Sequence, residues 1–311
     1  MPARLLVLVV LLSGSFAVAA CGGDDRAGRS GRALTVVATT TQATDLVRNV
    51  AGERAEVVGL LPANADPHDY EVRPDDVKAL VDADLVVRSG GDLDEWLQGA
   101  IESSGTDAPE LVLIDRVSTL AGGDEEIDPH WWQDPRNGVE AVAAIAAALA
   151  EADPDGAAGY ESRADDYARR LTALDGAVAA CVDALPADRR KLVTTHDALG
   201  YYAKRYGLEV VGTVIPSRST QSQASAGELA ELVATIRREQ VKAIFAESSV
   251  NAKVERAVAQ DAGATVGKAL WADTLGPAGS DGDTYLKSLA ANTRAIVGGL
   301  GGGRVTCRLP A

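Results

Sequence analysis

The chain is poor in the side chains that most often do chemistry. It has three histidines, three cysteines and one methionine in 311 residues. No His-Glu-x-x-His helix is present, and no fourth histidine exists to serve as a base beside a metal, which argues against a hydrolase of that type. Basic residues are outnumbered: 30 Lys and Arg face 45 Asp and Glu, for a net charge of −15 and a pI near 4.7. Nucleic acid is excluded as a partner, because binding a polyanion needs a basic face. Apolar runs long enough to cross a bilayer are also lacking.

The one apolar stretch near the start, Leu5 to Leu12, follows Arg4 and leads through Ser13-Gly14-Ser15 to Val18-Ala19-Ala20-Cys21. Too short for a span and ending in small residues, it reads as a signal peptide over 1–20. Its end resembles the bacterial lipobox, which implies acylation of Cys21, attachment to the lipid bilayer and an extracytoplasmic location. The polar, Gly-rich residues 21–32 then form the lipidated cysteine and a flexible tether. That leaves Cys181 and Cys307 as the remaining thiols in an oxidising compartment, where a disulfide is expected.

From Leu34 onward, short β-branched runs alternate with amphipathic Ala/Leu/Arg stretches, the pattern of a parallel α/β sheet. Strands are expected near Leu34–Ala38, Glu56–Leu61, Leu85–Arg88 and Leu111–Ile114, and again near Lys191–Thr194, Glu209–Val214, Lys242–Ala246 and Thr265–Leu270. The two sets are related in their letters. Val37-Ala38-Thr39-Thr40, a helix ending at Gly52 and Glu56-Val57-Val58-Gly59 correspond to Leu192-Val193-Thr194-Thr195, a helix ending at Gly207 and Glu209-Val210-Val211-Gly212. So long a repeat predicts two (βα)4-type lobes, 33–152 and 187–311. Between them, 153–186 predicts a long helix with Asp153 as N-cap, Pro154 in its first turn and Tyr160, Ala164, Tyr167, Leu171, Leu174 and Val178 on one face. Unbroken, it spans about 45 to 50 Å and struts both lobes; a break near Gly176 is the simpler alternative.

Each histidine sits just past a strand or in the loop leading from one: His68 in Asp66-Pro67-His68-Asp69-Tyr70-Glu71, His130 in Asp128-Pro129-His130-Trp131-Trp132-Gln133-Asp134-Pro135, and His196 in Thr194-Thr195-His196-Asp197. Ligands of open parallel sheets lie outside the carboxyl ends of the strands, and two facing lobes put such ends on both walls of one cleft. A tetrahedral site needs one more donor from the second lobe. Asp273, after the last strand, is the first candidate and Glu247 the second. Asp69, Asp128 and Asp197 beside the histidines, with Glu247, are candidates to hold the far ring nitrogens, since a metal-bound imidazole usually donates its other N–H to an oxygen.

These motifs, with Leu270-Trp271-Ala272-Asp273-Thr274-Leu275-Gly276, resemble the metal-binding solute-binding proteins of bacterial zinc and manganese ABC transporters, the cluster with a rigid inter-lobe helix. The resemblance covers Leu34 to Leu300. It implies a non-enzymatic monomer that captures a divalent ion with His68, His130, His196 and Asp273 and hands it to an ABC permease. Glu247 takes an orienting role in this family. Two departures bear on the cargo. The His-rich loop of many zinc members is replaced by Ala121-Gly122-Gly123-Asp124-Glu125-Glu126-Ile127, and His196 stands where manganese members often have glutamate. Three imidazoles and a carboxylate suit Zn²⁺, so zinc is the expected cargo and Mn²⁺ the alternative. Two other classes share the donor set: a zinc hydrolase in which water replaces Asp273, and a surface adhesin with a structural zinc. Closure is expected to be small, with the loops near His196 and Asp273 moving.

Overall fold

Valine-rich runs fit strands whose two faces are covered, as at Leu34–Ala38 and Leu85–Arg88. In a computed structural model, which describes residues 33–121 and 127–310, Leu34–Ala38 (β1), Ala55–Gly59 (β2), Leu85–Arg88 (β3) and Glu110–Val112 (β4) form a wholly parallel sheet ordered β2-β1-β3-β4. The expected signal peptide, Cys21, the tether and the acidic residues Asp124 to Glu126 lie outside the described residues. Val36, Val37, Val86 and Val87 are wholly buried. Thr41–Ala51 (α1), Pro74–Val81 (α2), Trp96–Ser104 (α3) and Pro135–Ala152 (α4) complete the first lobe. Asp134 caps α4, its side chain accepting from the Arg136 N–H ahead of which Pro135 takes the first helical position.

The long helix is continuous. After a single 3₁₀ turn at Pro154–Gly156, α5 runs from Ala157 to Asp183 through Gly176, about 40 Å at 1.5 Å per residue. Its expected face, from Tyr160 to Val178, is buried. Asp153 does not cap it: that carboxylate holds Arg54 at 2.8 and 3.0 Å and accepts from Tyr160 Oη at 2.6 Å. α5 packs on α1 and α4 of the first lobe and on helices of the second, which is how one element braces both.

Lys191–Thr194 (β5), Gly200–Tyr206 (α6), Glu209–Thr213 (β6), Ala226–Arg238 (α7), Ala243–Ile244 (β7), Lys253–Ala262 (α8), Thr265–Val266 (β8) and Tyr285–Leu300 (α9) follow. β5 pairs with β6 and β7 with β8, both parallel, and a bridge between Thr194 and Phe245 joins the pairs. The order β6-β5-β7-β8 therefore repeats the first sheet strand for strand. The last strand is shorter than expected because the chain leaves the sheet at Gly267, where a Cβ would fall 2.6 Å from the Phe245 ring; Leu270 rejoins as a bridge to Glu247. Among the described residues no helix is long and apolar enough to cross a membrane. Cys181 on α5 and Cys307 in the tail are neighbouring free thiols, not the expected disulfide, and burial beside Cys181 pushes the Cys307 thiol up to about 12.

Candidate metal centre

A capped turn holds the backbone of His68, and a carboxylate holds the ring of each of the other two histidines. His68 lies in a 3₁₀ turn, Pro67–Asp69, whose first N–H groups would be orphaned without a cap; Asp66 Oδ1 accepts from the His68 N–H at 3.0 Å. Trp96 buttresses the turn by donating its indole N–H to the Pro67 carbonyl at 3.2 Å, and the Trp96 ring packs 4.8 Å from that of Tyr70. His130 is held twice by one oxygen: Asp128 Oδ1 takes its backbone N–H at 3.0 Å and its Nδ1 at 2.7 Å. His196 follows β5 and is held the same way from the neighbouring strand, with Glu247 Oε1 3.2 Å from its N and 2.7 Å from its Nδ1.

Carboxylates on Nδ1 place a proton there and turn Nε2 toward a common point. There Asp273 Oδ2 lies 3.1 Å from His196 Nε2 and 3.4 Å from His68 Nε2, and Oδ1 lies 3.6 Å from His130 Nε2. The two buried imidazoles approach each other to 3.3 Å, Nε2 to Nε2. One donor atom from each of the four residues falls within 4.8 Å of all the others. Neither Asp273 oxygen, nor His68 Nε2, has a hydrogen-bonding partner, although the Asp273 side chain has no solvent access. Buried oxygens and an imidazole nitrogen that face each other without hydrogen bonds are the mark of a cation site.

The electrostatics agree. Burial opposes a charge on His196, but the Glu247 and Asp273 carboxylates outweigh it and raise the imidazole well above its usual 6.5. Burial would raise Asp273, yet His196 and His130 hold it well below the usual carboxylate value. Glu247 is raised, chiefly by burial.

The geometry separates the two second-lobe carboxylates. Glu247 sits behind His196 on the far ring nitrogen, and Asp273 faces the convergence. Of the four residues expected to orient imidazoles, Glu247 and Asp128 do so. Among the described residues neither Asp69 nor Asp197 hydrogen-bonds a histidine: each follows its histidine directly, so its side chain leaves the backbone in another direction, and Asp69 is exposed. Asp66 was the missed residue, although Asp-Pro-His occurs twice and pairs it with Asp128.

The segment carrying Asp273 belongs to the second lobe by sequence and is held by the first. The Ala272 carbonyl accepts from Trp132 Nε1 at 2.9 Å and Gln133 Nε2 at 2.8 Å. Leu275 donates to Thr41 Oγ1 at 2.8 Å and accepts from the Asn64 N–H at 2.9 Å; Asn64 reaches it from φ 62°, a conformation asparagine tolerates. The adjacent Trp131 instead turns into its own lobe, toward Ser89. The two loops expected to move are thus both tied to the first lobe: the Asp273 segment through the Ala272 carbonyl, and the His196 segment through Tyr201 Oη, which donates to the Asp128 carbonyl at 2.8 Å.

Two parallel-sheet lobes, a bracing helix and a buried three-imidazole, one-carboxylate cluster between them define a binding protein for a divalent transition metal ion. The family described as "Zinc-uptake complex component A periplasmic" matches residues 36–299, so the chain belongs to that family. It is similar to the manganese-binding lipoprotein MntA of Halalkalibacterium halodurans, at 30% identity over 284 residues, covering 91% of this chain and 94% of that one. MntA of Bacillus subtilis is 30% identical over 299 residues, covering 93% and 97%. Among solved structures, the periplasmic zinc binding protein TroA of Treponema pallidum superposes with a TM-score of 0.82 at 31% identity, covering 86% of this chain and 99% of that one. The chain is a non-enzymatic, extracytoplasmic component of divalent metal uptake.

Proposed function

We propose that the protein captures Mn²⁺ or Zn²⁺ with His68 Nε2, His130 Nε2, His196 Nε2 and the Asp273 carboxylate, and delivers it to an ABC permease while anchored to the membrane through acylated Cys21. The observation that carries this reading is the buried Asp273 carboxylate, unpartnered and surrounded by three imidazole nitrogens. An unpaired buried carboxylate costs several kcal/mol, which a coordinated cation offsets.

For the cargo, the relatives weigh more than the donor set. Three imidazoles and a carboxylate suit zinc, but by the Irving–Williams order nearly any such site binds Zn²⁺ more tightly than Mn²⁺ in vitro, so that preference does not identify what is carried in the cell. The curated relatives described above are named for manganese, which favours Mn²⁺ as cargo, and TroA, named for zinc, supports Zn²⁺ as the second reading. Elemental analysis of the chain isolated from its own membrane without added metal tests this. Manganese in near-equimolar amount supports the first reading, zinc the second, and neither metal at the site defeats both.

A further inference from the structure

The loop after β6 joins the His196 segment of the second lobe to the His68 turn of the first. At its near end it is fastened to the backbone on both sides of His196: the Ile215 N–H donates to the Thr195 carbonyl at 2.7 Å, and the Ser217 carbonyl accepts from the Asp197 N–H at 3.0 Å. At its far end it reaches the His68 turn. Thr220 Oγ1 donates to Asp66 Oδ2 at 2.6 Å, and Gln221 Nε2 donates to the His68 carbonyl. Asp66 spends its other oxygen on the His68 N–H. One carboxylate therefore caps the turn that aims His68 and receives the second lobe's hydroxyl.

Asp273 and His130 are already tied together through the Ala272 carbonyl. The loop is the corresponding tie between His196 and His68, and it differs in exposure. Trp132 and Gln133 are buried, whereas Thr220 is half-buried and Gln221 exposed. Exposed hydrogen bonds break and reform without unfolding what they connect.

We propose, resting on the metal-capture reading above, that Thr220 and Gln221 are positioning residues that latch the His196 segment to the His68 turn and so set how slowly the ion leaves. The side chains touch no metal. They act on the dissociation rate, because they hold the closed arrangement and supply no donor atom to an arriving ion.

The test uses the full chain in detergent micelles, loaded with Mn²⁺ or Zn²⁺ and mixed with excess chelator in a stopped-flow instrument. Thr220→Val keeps the shape and removes the donor, Gln221→Leu does the same for the amide, and Thr220→Ser restores a hydroxyl. Release from the double variant is expected to be about tenfold or more faster, with association within about twofold of wild type. Thr220→Ser should release at the wild-type rate. Release from the double variant within about twofold of wild type, or Thr220→Ser behaving like Thr220→Val, overturns the latch and leaves the site itself standing. If the wild-type chain takes up neither ion, the capture reading fails and the latch with it.

Discussion

Replacing Asp273 by asparagine is the sharpest test of the site, because it keeps the shape and removes the charge. The carboxylate stands 3.1, 3.4 and 3.6 Å from the Nε2 atoms of His196, His68 and His130. It makes no hydrogen bond that the amide would inherit, so its contribution to holding a cation is electrostatic and coordinative. Losing a residue that merely orients a metal-bound imidazole costs about 10- to 100-fold in affinity. Asp273 faces the convergence directly, so its loss should cost at least the upper end of that range: about 100-fold, or ~2.7 kcal/mol, for Zn²⁺ or Mn²⁺. The assay is competition against a chelator of known affinity on the metal-free chain, with cooperative thermal unfolding as evidence that the variant folds. A folded Asp273→Asn chain whose affinity falls by less than about threefold refutes the assignment and moves the fourth donor elsewhere.

Two further outcomes follow from the same chemistry and from the two cysteines. Because the Glu247 and Asp273 carboxylates raise His196 above its usual range, a proton competes with the ion for that imidazole. Affinity should therefore climb by about tenfold per pH unit from neutrality upward, and level off once pH exceeds the raised value. Competition titrations across that window decide it, and a flat profile between about pH 7 and 8 counts against a protonated His196. For the cysteines, Cys181 and Cys307 are free in the structure, so both thiols should titrate in the unreduced, denatured protein. An unreduced intact mass that shows the two joined would refute this.

The site was legible in the sequence for a reason of scarcity. With three histidines in the whole chain, each just past a strand or in the connection leading from one, there was little choice of donors, and the two facing lobes placed them together. Asp273 could be preferred over Glu247 only by position and resemblance; the coordinates add the physical reason, which is that Glu247 occupies the other face of the His196 ring. The repeat of strand order was likewise visible in the repeated letters. What sequence did not show depends on contacts between distant residues. The Trp132 indole nitrogen holds a carbonyl 140 residues away, and Thr220 meets Asp66 across 154. Asp153 looked like a helix cap because local pattern favours Asp before Pro, but Arg54 and Tyr160 compete for the same carboxylate with a charge and a phenol.

A carrier has to tolerate the loss of its ion, and the arrangement around Asp273 explains how this one does. A structural metal site that loses its cation is left with mutually repelling or unpaired buried donors, and the fold pays for it. Here the carboxylate that would be stranded lies 3.1 Å from an imidazole whose surroundings raise it, so a proton on His196 takes over part of the charge balance that the ion supplied. Glu247 supports both forms, since a ring N–H at Nδ1 is present in the imidazolium and in the metal-bound imidazole alike. A proton on His196 would give the carboxylate a charged partner when the ion leaves, and the long helix α5 packs on both lobes. That economy requires all four side chains at one point, with the proton's site and the ion's site sharing His196.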